Sequence, residues 1–569
     1  MIALKKQLGE ILEKAVAASF EGAAITADEL VTMLEYPPDS SMGDIAFPCF
    51  KLSRTLKCAP PVIAQKLASA EFDSDIVTAQ AAGPYLNFKI SEKYLTERVL
   101  GAVLSKGESY GSFDFGEGKT VVLDYSSPNT SKPFHIGHLG TTVIGHCLKL
   151  LHEFAGYKCI GINHLGDWGT QNGKQIVAFK RWGNKEEVEE KGCDGLVELY
   201  VKFHEEADKD PSLNDEARAE FKKMEMHDPE NIALWKWFLD ISLKEYKVTY
   251  DQLGITFDYY MGESFFSDKM DAQIQIMRDK DLLKLDDGAS IVDLSEYNMP
   301  PCLILKRDGA SLYPSRDISA AVYRKENFDF SKCIYVTSAG QSLHFAQWFK
   351  VMELMGYDWV DQLVHVPYGT VSIGGEKLAT RTGNVVLLKH LFAQAIEKVS
   401  AVINEKNPDL ENKEEVSEAV GVGAVVFHYL FNTRIKDISF VLEDALSFEG
   451  STGPYVQYTY ARTCSILAKA GKIDASALKI TAEDEAEIIK VLARFPERVL
   501  AAIEDYEPSY IARYAIELAT AFNRFYHNCP ILSAEDETVK NTRLAITEAA
   551  GTVLKTALRL ICMRAPEKI

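Results

Sequence analysis

The ten cysteines of this 569-residue chain include no Cys-x-x-Cys pair, the spacing that many zinc sites and dithiol redox motifs share. They are scattered, and Cys147, Cys302 and Cys562 stand among apolar residues. We interpret them as buried thiols in a reducing compartment and expect a cytoplasmic location. Because no cysteine or carboxylate stands at metal-ligand spacing beside His135 and His138, no tightly bound structural metal is expected.

Long hydrophobic runs are also missing. No uninterrupted apolar run reaches the roughly 18 residues that a membrane-spanning helix needs, so we expect no membrane partner. The opening stretch MIALKKQLGEILEKAVAASF mixes lysines with glutamates, which is typical of an amphipathic helix and not of a signal or transit peptide. The chain is 47% apolar and 25% charged, as in an ordinary globular protein.

Basic charge is scarce, since 62 lysines and arginines stand against 82 aspartates and glutamates, for a net charge of −20. This balance argues against a protein that binds nucleic acid without specificity. It still allows a protein that holds one RNA through local basic patches while its acidic surface repels others.

A P-loop and a nucleophile elbow are absent. Residues 116–120, Gly-Glu-Gly-Lys-Thr, end like a P-loop, but Phe113 stands where that motif requires a glycine. No Ser-His pair on an elbow turn supplies a protein nucleophile. Any group transfer by this chain therefore depends on a nucleophile from its substrate.

The length predicts three or four domains of about 150 residues each. Residues 1–112 mix helical and strand periodicity and predict an α+β domain that ends in a polar linker. Residues 113–440 predict an α/β core with a charged helical insertion at about 184–250. From about residue 413 only helical periodicity is present, and residues 441–569 predict an all-α bundle. The predicted fold class is therefore a multidomain protein built around an α/β core.

One βαβ unit is predicted within residues 121–163. The β-branched run at 121–125 predicts a buried strand, and the segment SSPNTSKP that follows predicts a loop. Apolar spacing then predicts a helix at about 137–154, with Gly156 as its C-cap. Residues 157–162 predict the second strand.

Two histidines and a lysine stand where this loop becomes the helix. A helix N-terminus suits a phosphate, and Lys132, His135 and His138 would stabilise the charge that a reacting phosphate gains. Gly137 and Gly140 would let a nucleotide approach the backbone. An isolated His-x-x-His is also compatible with a solvated helix cap or half of a metal site.

Three later segments add polar groups near the ends of predicted elements. Asp317, in DGASLYPSRD, suits either a helix N-cap or a ligand contact. Gln341 lies in the loop after a predicted strand at 332–336. After another predicted strand at 363–371, the loop 374–384 combines glycines with lysine and arginine, which suits closure over a polyphosphate.

Aromatic residues alternate with arginines in the C-terminal helices. Tyr455, Tyr458 and Arg462 share one predicted helix face, and Tyr510 and Tyr514 lie on another helix. Such faces can stack on single-stranded bases. Core packing in a helical bundle explains the same residues equally well.

A phosphate-binding helix end and a second basic loop suggest that a substrate carboxylate attacks the α-phosphate of ATP. The segment SPNTSKPFHIGH resembles the HIGH signature of class I aminoacyl-tRNA synthetases, in the form found in arginyl-tRNA synthetases. The blocks NHLGDWGTQNGKQ, DGASLYPSRD, SFEGSTGPYVQYTYAR and APEKI resemble the same family. They lie in order along the whole chain, so the resemblance is more specific than any single motif.

The resemblance implies a Rossmann-type catalytic core, an N-terminal domain that touches the tRNA elbow and a helical domain that reads the anticodon. It implies that L-arginine reacts with ATP, accompanied by Mg²⁺, to give arginyl-adenylate and pyrophosphate. The arginyl group then passes to the 3′-terminal adenosine of tRNA(Arg). Members of this family are usually monomers and typically need bound tRNA for activation.

The resemblance also implies roles for individual residues. For catalysis these are Lys132, His135, His138, Lys377 and Arg381. For ATP binding they are His135, Gly137, His138 and Gly140. For arginine binding they are Asp124, Asn129, His135, Tyr313, Asp317 and Gln341. For tRNA binding they are Tyr85, Asn87, Tyr510 and Tyr514, although Tyr85 and Asn87 also suit residues that simply cap a strand.

One motif departs from the family pattern. The KMSKS signature is present only as Lys377-Leu378-Ala379-Thr380-Arg381, without its second lysine, and the resemblance implies that Lys132 supplies the missing charge. Three alternatives stay open: a related nucleotidyl transferase, a non-catalytic RNA-binding relative, and a synthetase for another amino acid. Asp124 and Asp317 favour a cationic substrate, since carboxylates pair with a guanidinium.

Overall fold

The structure is a computed structural model, and it describes residues 1–307, 312–373, 376–377, 386–471, 473–475 and 477–569. It confirms the predicted fold class: an α+β region, a parallel α/β core with inserted helices, and a C-terminal helical region. Of the helices described, none is both long enough and apolar enough to cross a bilayer.

The N-terminal region is a three-stranded antiparallel sheet with helices on it. Its elements are α1 (Ile2–Ser19), α2 (Ala27–Met33), β1 (Ile45–Pro48), α3 (Ser53–Leu56), α4 (Pro60–Ala68), β2 (Val77–Ala82), β3 (Tyr85–Ile90) and α5 (Gly101–Lys106). The sheet order is β1-β3-β2. Leu86 and Phe88 are fully buried, and they alternate with Tyr85 and Asn87 on the outer face of β3.

A parallel five-stranded sheet forms the middle of the molecule. It begins with β4 (Thr120–Asp124), α6 (Leu139–Phe154) and β5 (Lys158–Asn163), which confirms the predicted βαβ unit. Val121, Val122 and Leu123 on β4 are all fully buried, because both faces of a parallel sheet are covered.

Five helices are inserted between β5 and the next strand. They are α7 (Thr170–Trp182), α8 (Lys185–Lys191), α9 (Cys193–Lys209), α10 (Leu213–Glu225) and α11 (Pro229–Leu253). Trp168, Phe203 and Phe238 belong to a hydrophobic core within this segment. The helical insertion predicted at about 184–250 is thus present, and it includes one earlier helix.

The chain then returns to the core and adds small sheets. The elements are β6 (Tyr259–Tyr260), α12 (Met270–Asp279), β7 (Leu283–Asp286), β8 (Ala289–Val292), β9 (Cys302–Leu305), α13 (Tyr313–Phe328), β10 (Lys332–Ser338), α14 (Ser342–Leu354), β11 (Leu363–Tyr368), β12 (Val371–Ile373) and β13 (Glu376–Lys377). The parallel sheet has the order β11-β10-β4-β5-β6.

Two features of these strands depart from a simple α/β pattern. Strands β8 and β9 lie within the predicted α/β core but form a separate antiparallel sheet with β7, since tight connections favour antiparallel pairing. The stretch 363–371 is not one strand either, because β11 and β12 lie in different sheets.

The last region is helical except for one short strand. It contains α15 (Leu388–Lys406), α16 (Lys413–Leu430), β14 (Ile438–Phe440), α17 (Leu442–Ala445), α18 (Gly453–Lys469), α19 (Glu483–Glu504), α20 (Ser509–Asn528) and α21 (Glu537–Leu560). The expectation of helices alone after residue 413 is therefore wrong at β14, which pairs in parallel with β12. A three-residue strand is too short to produce a periodicity signal.

Candidate active site

The polar residues singled out in the sequence meet at the carboxyl edge of the parallel sheet. The chain runs from β4 outward to β5 on one side and places β10 on the other. The crevice between β4 and β10 is therefore a topological switch point, where open α/β sheets bind ligands. Asp124 ends β4, and Gln341 lies in the short helical turn that follows β10.

The loop after β4 is held in an unusual conformation. Ser126, Ser127 and Ser131 have positive φ angles of 72°, 47° and 59°, a region that costs free energy for residues other than glycine. Such a conformation persists only when surrounding contacts fix it. This loop leads directly into the turn Ile136–His138 and helix α6.

Helix α11 of the insertion supplies those contacts. The Ser242 Oγ accepts a hydrogen bond from the Ser131 amide at 2.9 Å. The Tyr250 hydroxyl lies 2.7 Å from the Ser126 Oγ. The Tyr246 hydroxyl shares its proton between two backbone carbonyl oxygens of the loop, that of Asn129 at 2.8 Å and that of Lys132 at 2.7 Å. The three side chains recur every four residues, so one helix face holds the loop. We name Ser242, Tyr246 and Tyr250 the loop-holding stripe.

His135 and His138 form a close pair of tilted rings at the start of α6. Their ring centroids are 3.9 Å apart. The His135 Nδ1 accepts from the Gly137 amide at 3.0 Å, and the His138 Nδ1 accepts from the His135 amide at 3.2 Å. Since both Nδ1 atoms accept, each neutral ring carries its proton on Nε2. The pair therefore offers two N–H donors to a ligand.

Both histidines are neutral near pH 7. Burial, aided by the positive charge of Lys132, lowers the pKa of His135 to about 4. Burial also lowers the pKa of His138 well below its usual value, with further contributions from His135 and Lys132. The rings consequently act as oriented dipoles in this state, and Lys132 is the neighbouring fixed cation. The Lys132 Nζ lies 6.0 Å from the ring centroid of Tyr200 on α9.

Asp124 is already paired with other side chains of the protein. Its Oδ2 accepts from the Arg324 Nη2 at 2.7 Å, and its Oδ1 accepts from the Ser127 Oγ at 2.9 Å. Asp124 is 8% exposed, so it has no open bidentate face for a second guanidinium. Asn129, by contrast, is exposed, and its carbonyl is held by Tyr246.

Asp317 lies within α13, five residues into the helix, so the alternative that it is an N-cap is wrong. The helix begins earlier because Pro314 fits its first turn. The Asp317 Oδ2 lies 2.6 Å from the His344 Nε2, and the carboxylate is 27% exposed. Tyr313 at the start of α13 is 63% exposed.

A second ion pair adjoins this pocket. The Arg316 Nη1 lies 2.6 Å from the Glu263 Oε2. Burial raises the pKa of Glu263 to about 7, against the opposing effect of Arg316, and the nearby carboxylate of Asp317 raises it further. Arg324, Glu263 and His344 were all missed in the sequence, because ion pairs between distant segments leave no local pattern.

Gly140 has a different neighbour from the one expected. A Cβ at this position would lie 2.1 Å from the Tyr429 hydroxyl of α16 and 3.1 Å from the Tyr368 ring. Packing against these tyrosines accounts for the glycine, and the expected approach of a nucleotide to Gly140 stays a prediction. Two expected catalytic residues lie on the basic loop. The side chain of Lys377 and the whole of Arg381 lie outside the described residues.

The expected RNA-contacting residues lie on other elements, β3 of the N-terminal region and α20 of the helical region. Tyr85 packs edge-on against Phe50, with ring centroids 5.7 Å apart, and Tyr510 is half-buried, its hydroxyl donating to Asp505 at 3.0 Å. Tyr514 is 1% exposed and donates to the Val491 carbonyl at 3.1 Å. A ring so buried cannot stack on a base, so the expectation of direct RNA contact by Tyr514 is corrected to core packing.

A pre-formed stack is also present in the helical region. The Arg462 guanidinium lies 5.1 Å from the Tyr458 ring centroid and 5.3 Å from that of Tyr526. Both tyrosines are more than 40% exposed, at 43% and 44%. Asn523 accepts from the Arg462 guanidinium and fixes it. This open arrangement suits stacking on bases.

Comparisons with known proteins cover almost the whole chain. Residues 99–442 match a family model described as "tRNA synthetases class I (R), catalytic domain", residues 456–569 match "DALR anticodon binding domain", and residues 3–90 match "Arginyl tRNA synthetase N terminal domain". The chain is 51% identical to an arginine–tRNA ligase of Alkaliphilus metalliredigens, over 99% of both chains. It is 48% identical to one of Halothermothrix orenii, over 100% of both. The fold superposes on Thermus thermophilus arginyl-tRNA synthetase with a TM-score of 0.85 at 24% identity, covering 99% of this chain and 100% of that one.

Proposed function

The chain belongs to the arginyl-tRNA synthetases of class I, and from this premise we propose that it joins L-arginine to tRNA(Arg). The arginine carboxylate attacks the α-phosphate of ATP, which gives arginyl-adenylate and releases pyrophosphate. The 3′-terminal adenosine of tRNA(Arg) then takes the arginyl group, and AMP leaves. The observation that carries this reaction is the 51% identity to an arginine–tRNA ligase over 99% of both chains.

The phosphates of ATP are proposed to bind at the start of α6. The Nε2–H groups of His135 and His138 donate to α-phosphate oxygens, and Lys132 supplies positive charge as negative charge develops there. Gly137 lies in the same turn, where the lack of a side chain lets adenine approach. The support is the close pair of donor rings, with 3.9 Å between their centroids.

Lys377 and Arg381 are proposed to contact the outgoing pyrophosphate. Strand β13 brings Lys377 back towards β12, and glycines 374, 375 and 383 surround the two basic residues in sequence. A loop of this composition can close over a polyphosphate and open again for its release.

The arginine side chain is proposed to bind between β4 and β10. Asp317 accepts from its guanidinium, since the carboxylate is partly exposed and lies in a charge-rich pocket. Tyr313 and Gln341, both exposed at the same edge, border the ligand. Asn129 and His135 bind the α-amino and carboxylate end, which places the attacking oxygen near the phosphate site. Asp124 accepts a hydrogen bond from the bound arginine, in the orientation that the contacts described above fix.

Two regions are proposed to bind tRNA(Arg). Tyr85 and Asn87 face outward on β3 and meet the tRNA elbow. Tyr510 and the stack around Arg462 meet the anticodon loop. The net charge of −20 disfavours non-specific binding of RNA. Such local patches then select the RNA that binds.

Mg²⁺ is proposed to enter as part of the ATP complex, as a substrate component. Within the described ranges, no group of three or more metal-ligating side chains has the geometry of a resident site. We also propose a cytoplasmic monomer with domain limits at 1–112, 113–440 and 441–569. Sedimentation analysis of the purified protein tests the monomer, and a dimer at micromolar concentration would contradict it.

The decisive experiment is ATP–pyrophosphate exchange with each of the twenty amino acids, with and without tRNA(Arg). We expect exchange when arginine and tRNA are both present, and only weak exchange with arginine when tRNA is left out. Exchange with another amino acid would favour a synthetase of different specificity. Exchange with a non-amino acid would favour a related nucleotidyl transferase, and no exchange with any substrate would favour a non-catalytic relative.

A further inference from the structure

Arg324 is a buried charge to which the reaction above gives no role. It lies on α13 with 0% of its surface exposed, and its Nη2 donates to the Asp124 Oδ2 at 2.7 Å. The guanidinium carbon lies 5.4 Å from the Tyr335 ring centroid. Its Nε and Nη1 are buried and make no hydrogen bond to any part of the chain that the structure describes. Burying a guanidinium with so few acceptors is costly, so the contact with Asp124 has to repay that cost.

Asp124 is held from several sides. Its other oxygen accepts from the Oγ of Ser127, a residue in the strained loop. The titratable groups that face it are Arg324 from α13, His164 from the end of β5, and Cys333 and Tyr335 from β10. Arg324 is the group among them with a permanent positive charge.

We propose that Arg324 is a positioning residue for arginine recognition, which fixes the plane of the Asp124 carboxylate. Each Asp124 oxygen then has one protein donor and lone-pair directions left over for the substrate. Arg324 also cancels the charge of Asp124, so Asp317 carries the excess negative charge that attracts one cationic side chain. This inference rests on the proposed function, and it assigns a specific step of binding to a residue outside the motifs.

The test compares Michaelis constants in tRNA-dependent ATP–pyrophosphate exchange. Arg324→Met is expected to raise the KM for arginine by about tenfold or more, as for the loss of a charge-assisted contact. The KM for ATP is expected to stay within about twofold, because the hydrogen bonds of Arg324 reach Asp124 and His164 and not the histidine pair. Arg324→Lys keeps the charge without the planar fork and is expected to restore part of the affinity.

A double-mutant cycle separates positioning from general damage. If Arg324 acts through Asp124, Arg324→Met adds little to the KM for arginine in a protein that already carries Asp124→Asn. The double variant also removes the uncompensated buried charge, so it is expected to fold even if Arg324→Met alone does not. Additive effects of the two substitutions would overturn the proposal.

Arg543→Met is the matched control. Arg543 pairs with the fully buried Glu485 at 2.6 Å in the C-terminal helices, so its loss is expected to lower the melting temperature without changing the KM for arginine. Equal increases in the KM for arginine and for ATP in Arg324→Met would also overturn the proposal. A wild-type protein that shows no arginine-dependent exchange would instead overturn the proposed function itself.

Discussion

The Tyr246 hydroxyl lies 2.7 Å from the carbonyl oxygen of Lys132. Tyr246 belongs to the helical insertion, and Lys132 belongs to the loop before the histidine pair, so this hydrogen bond joins the insertion to the proposed phosphate site. Together with Ser242 and Tyr250, Tyr246 forms the loop-holding stripe, which supports the strained backbone of this loop.

Tyr246→Phe is therefore expected to impair activation. The substitution keeps the ring but removes the donor that two carbonyl oxygens share, and the loop that carries Lys132 is expected to relax. We expect kcat for ATP–pyrophosphate exchange to fall about tenfold or more, because small displacements at a reacting centre are costly. The free energy of unfolding is expected to fall by about 1 kcal/mol.

Tyr514→Phe is the matched control for that experiment. Tyr514 is equally buried and also donates to a backbone carbonyl, that of Val491, but it lies in the C-terminal helices. We expect a similar loss of stability and an unchanged kcat. Equal losses of kcat in both variants would show that Tyr246 acts through global stability alone.

Lys132→Ala is expected to reduce adenylate formation severely while arginine binding stays near normal. The lysine is the fixed cation beside two neutral histidines, and removal of one such group costs about a hundredfold or more. Lys185→Ala is the control, since the Lys185 Nζ also lies near an aromatic ring of the insertion, 5.8 Å from Trp237. A wild-type rate of pyrophosphate exchange in Lys132→Ala would contradict the assignment.

Stability is expected to fall in mild acid because several histidines are buried in their neutral form. Burial lowers the pKa of His135, His146, His152 and His365 to about 4 in the folded protein. Unfolded histidines take up a proton near pH 6.5. Between about pH 6.5 and pH 4 the unfolded state therefore binds more protons, and the free energy of unfolding declines as pH falls.

His152→Gln tests this contribution at a site away from the crevice. His152 is fully buried, and its Nδ1 lies 2.7 Å from the Leu148 carbonyl oxygen. Urea titrations across that range are expected to show a pH slope reduced by about one proton, or about 1.4 kcal/mol per pH unit. An unchanged slope in His152→Gln would contradict the prediction.

Tyr510→Ala is expected to weaken tRNA(Arg) binding by roughly tenfold, the scale of one lost base stack. Tyr510→Phe keeps the ring and loses only the hydroxyl that donates to Asp505, so its affinity is expected to stay close to wild type. Filter binding measures both. Unchanged affinity and aminoacylation in Tyr510→Ala would assign this tyrosine to packing, as the structure does for Tyr514.

Much of the architecture could be predicted from local pattern. Neighbouring residues decide the backbone geometry of a strand or a helix end. Local pattern therefore predicts the strand at 121–125, the helix end at Gly156 and the alternation of Tyr85, Leu86 and Asn87. The site motif at 127–138 was equally readable, because it is continuous in the chain. The spacing of the loop-holding stripe, every four residues, was also present but stood in a segment read as an insertion.

The partners of individual side chains could be predicted less well from the sequence. Arg324 lies 200 residues after Asp124, and no local rule pairs the two. Tyr510 and Tyr514 lie four residues apart on one helix, yet only Tyr514 is enclosed by α19. For Gly140, no local pattern showed that the Tyr429 hydroxyl fills the position where a side chain would lie.

The sequence by itself determined the order of elements, the phosphate motif and the family, because each rests on residues that are adjacent or in fixed order. Tertiary structure alone decided which carboxylate is partly exposed, which tyrosine is exposed and what supports the strained loop. Those outcomes depend on the competition for space and hydrogen-bond partners among distant segments, and that competition is resolved only when the whole core packs.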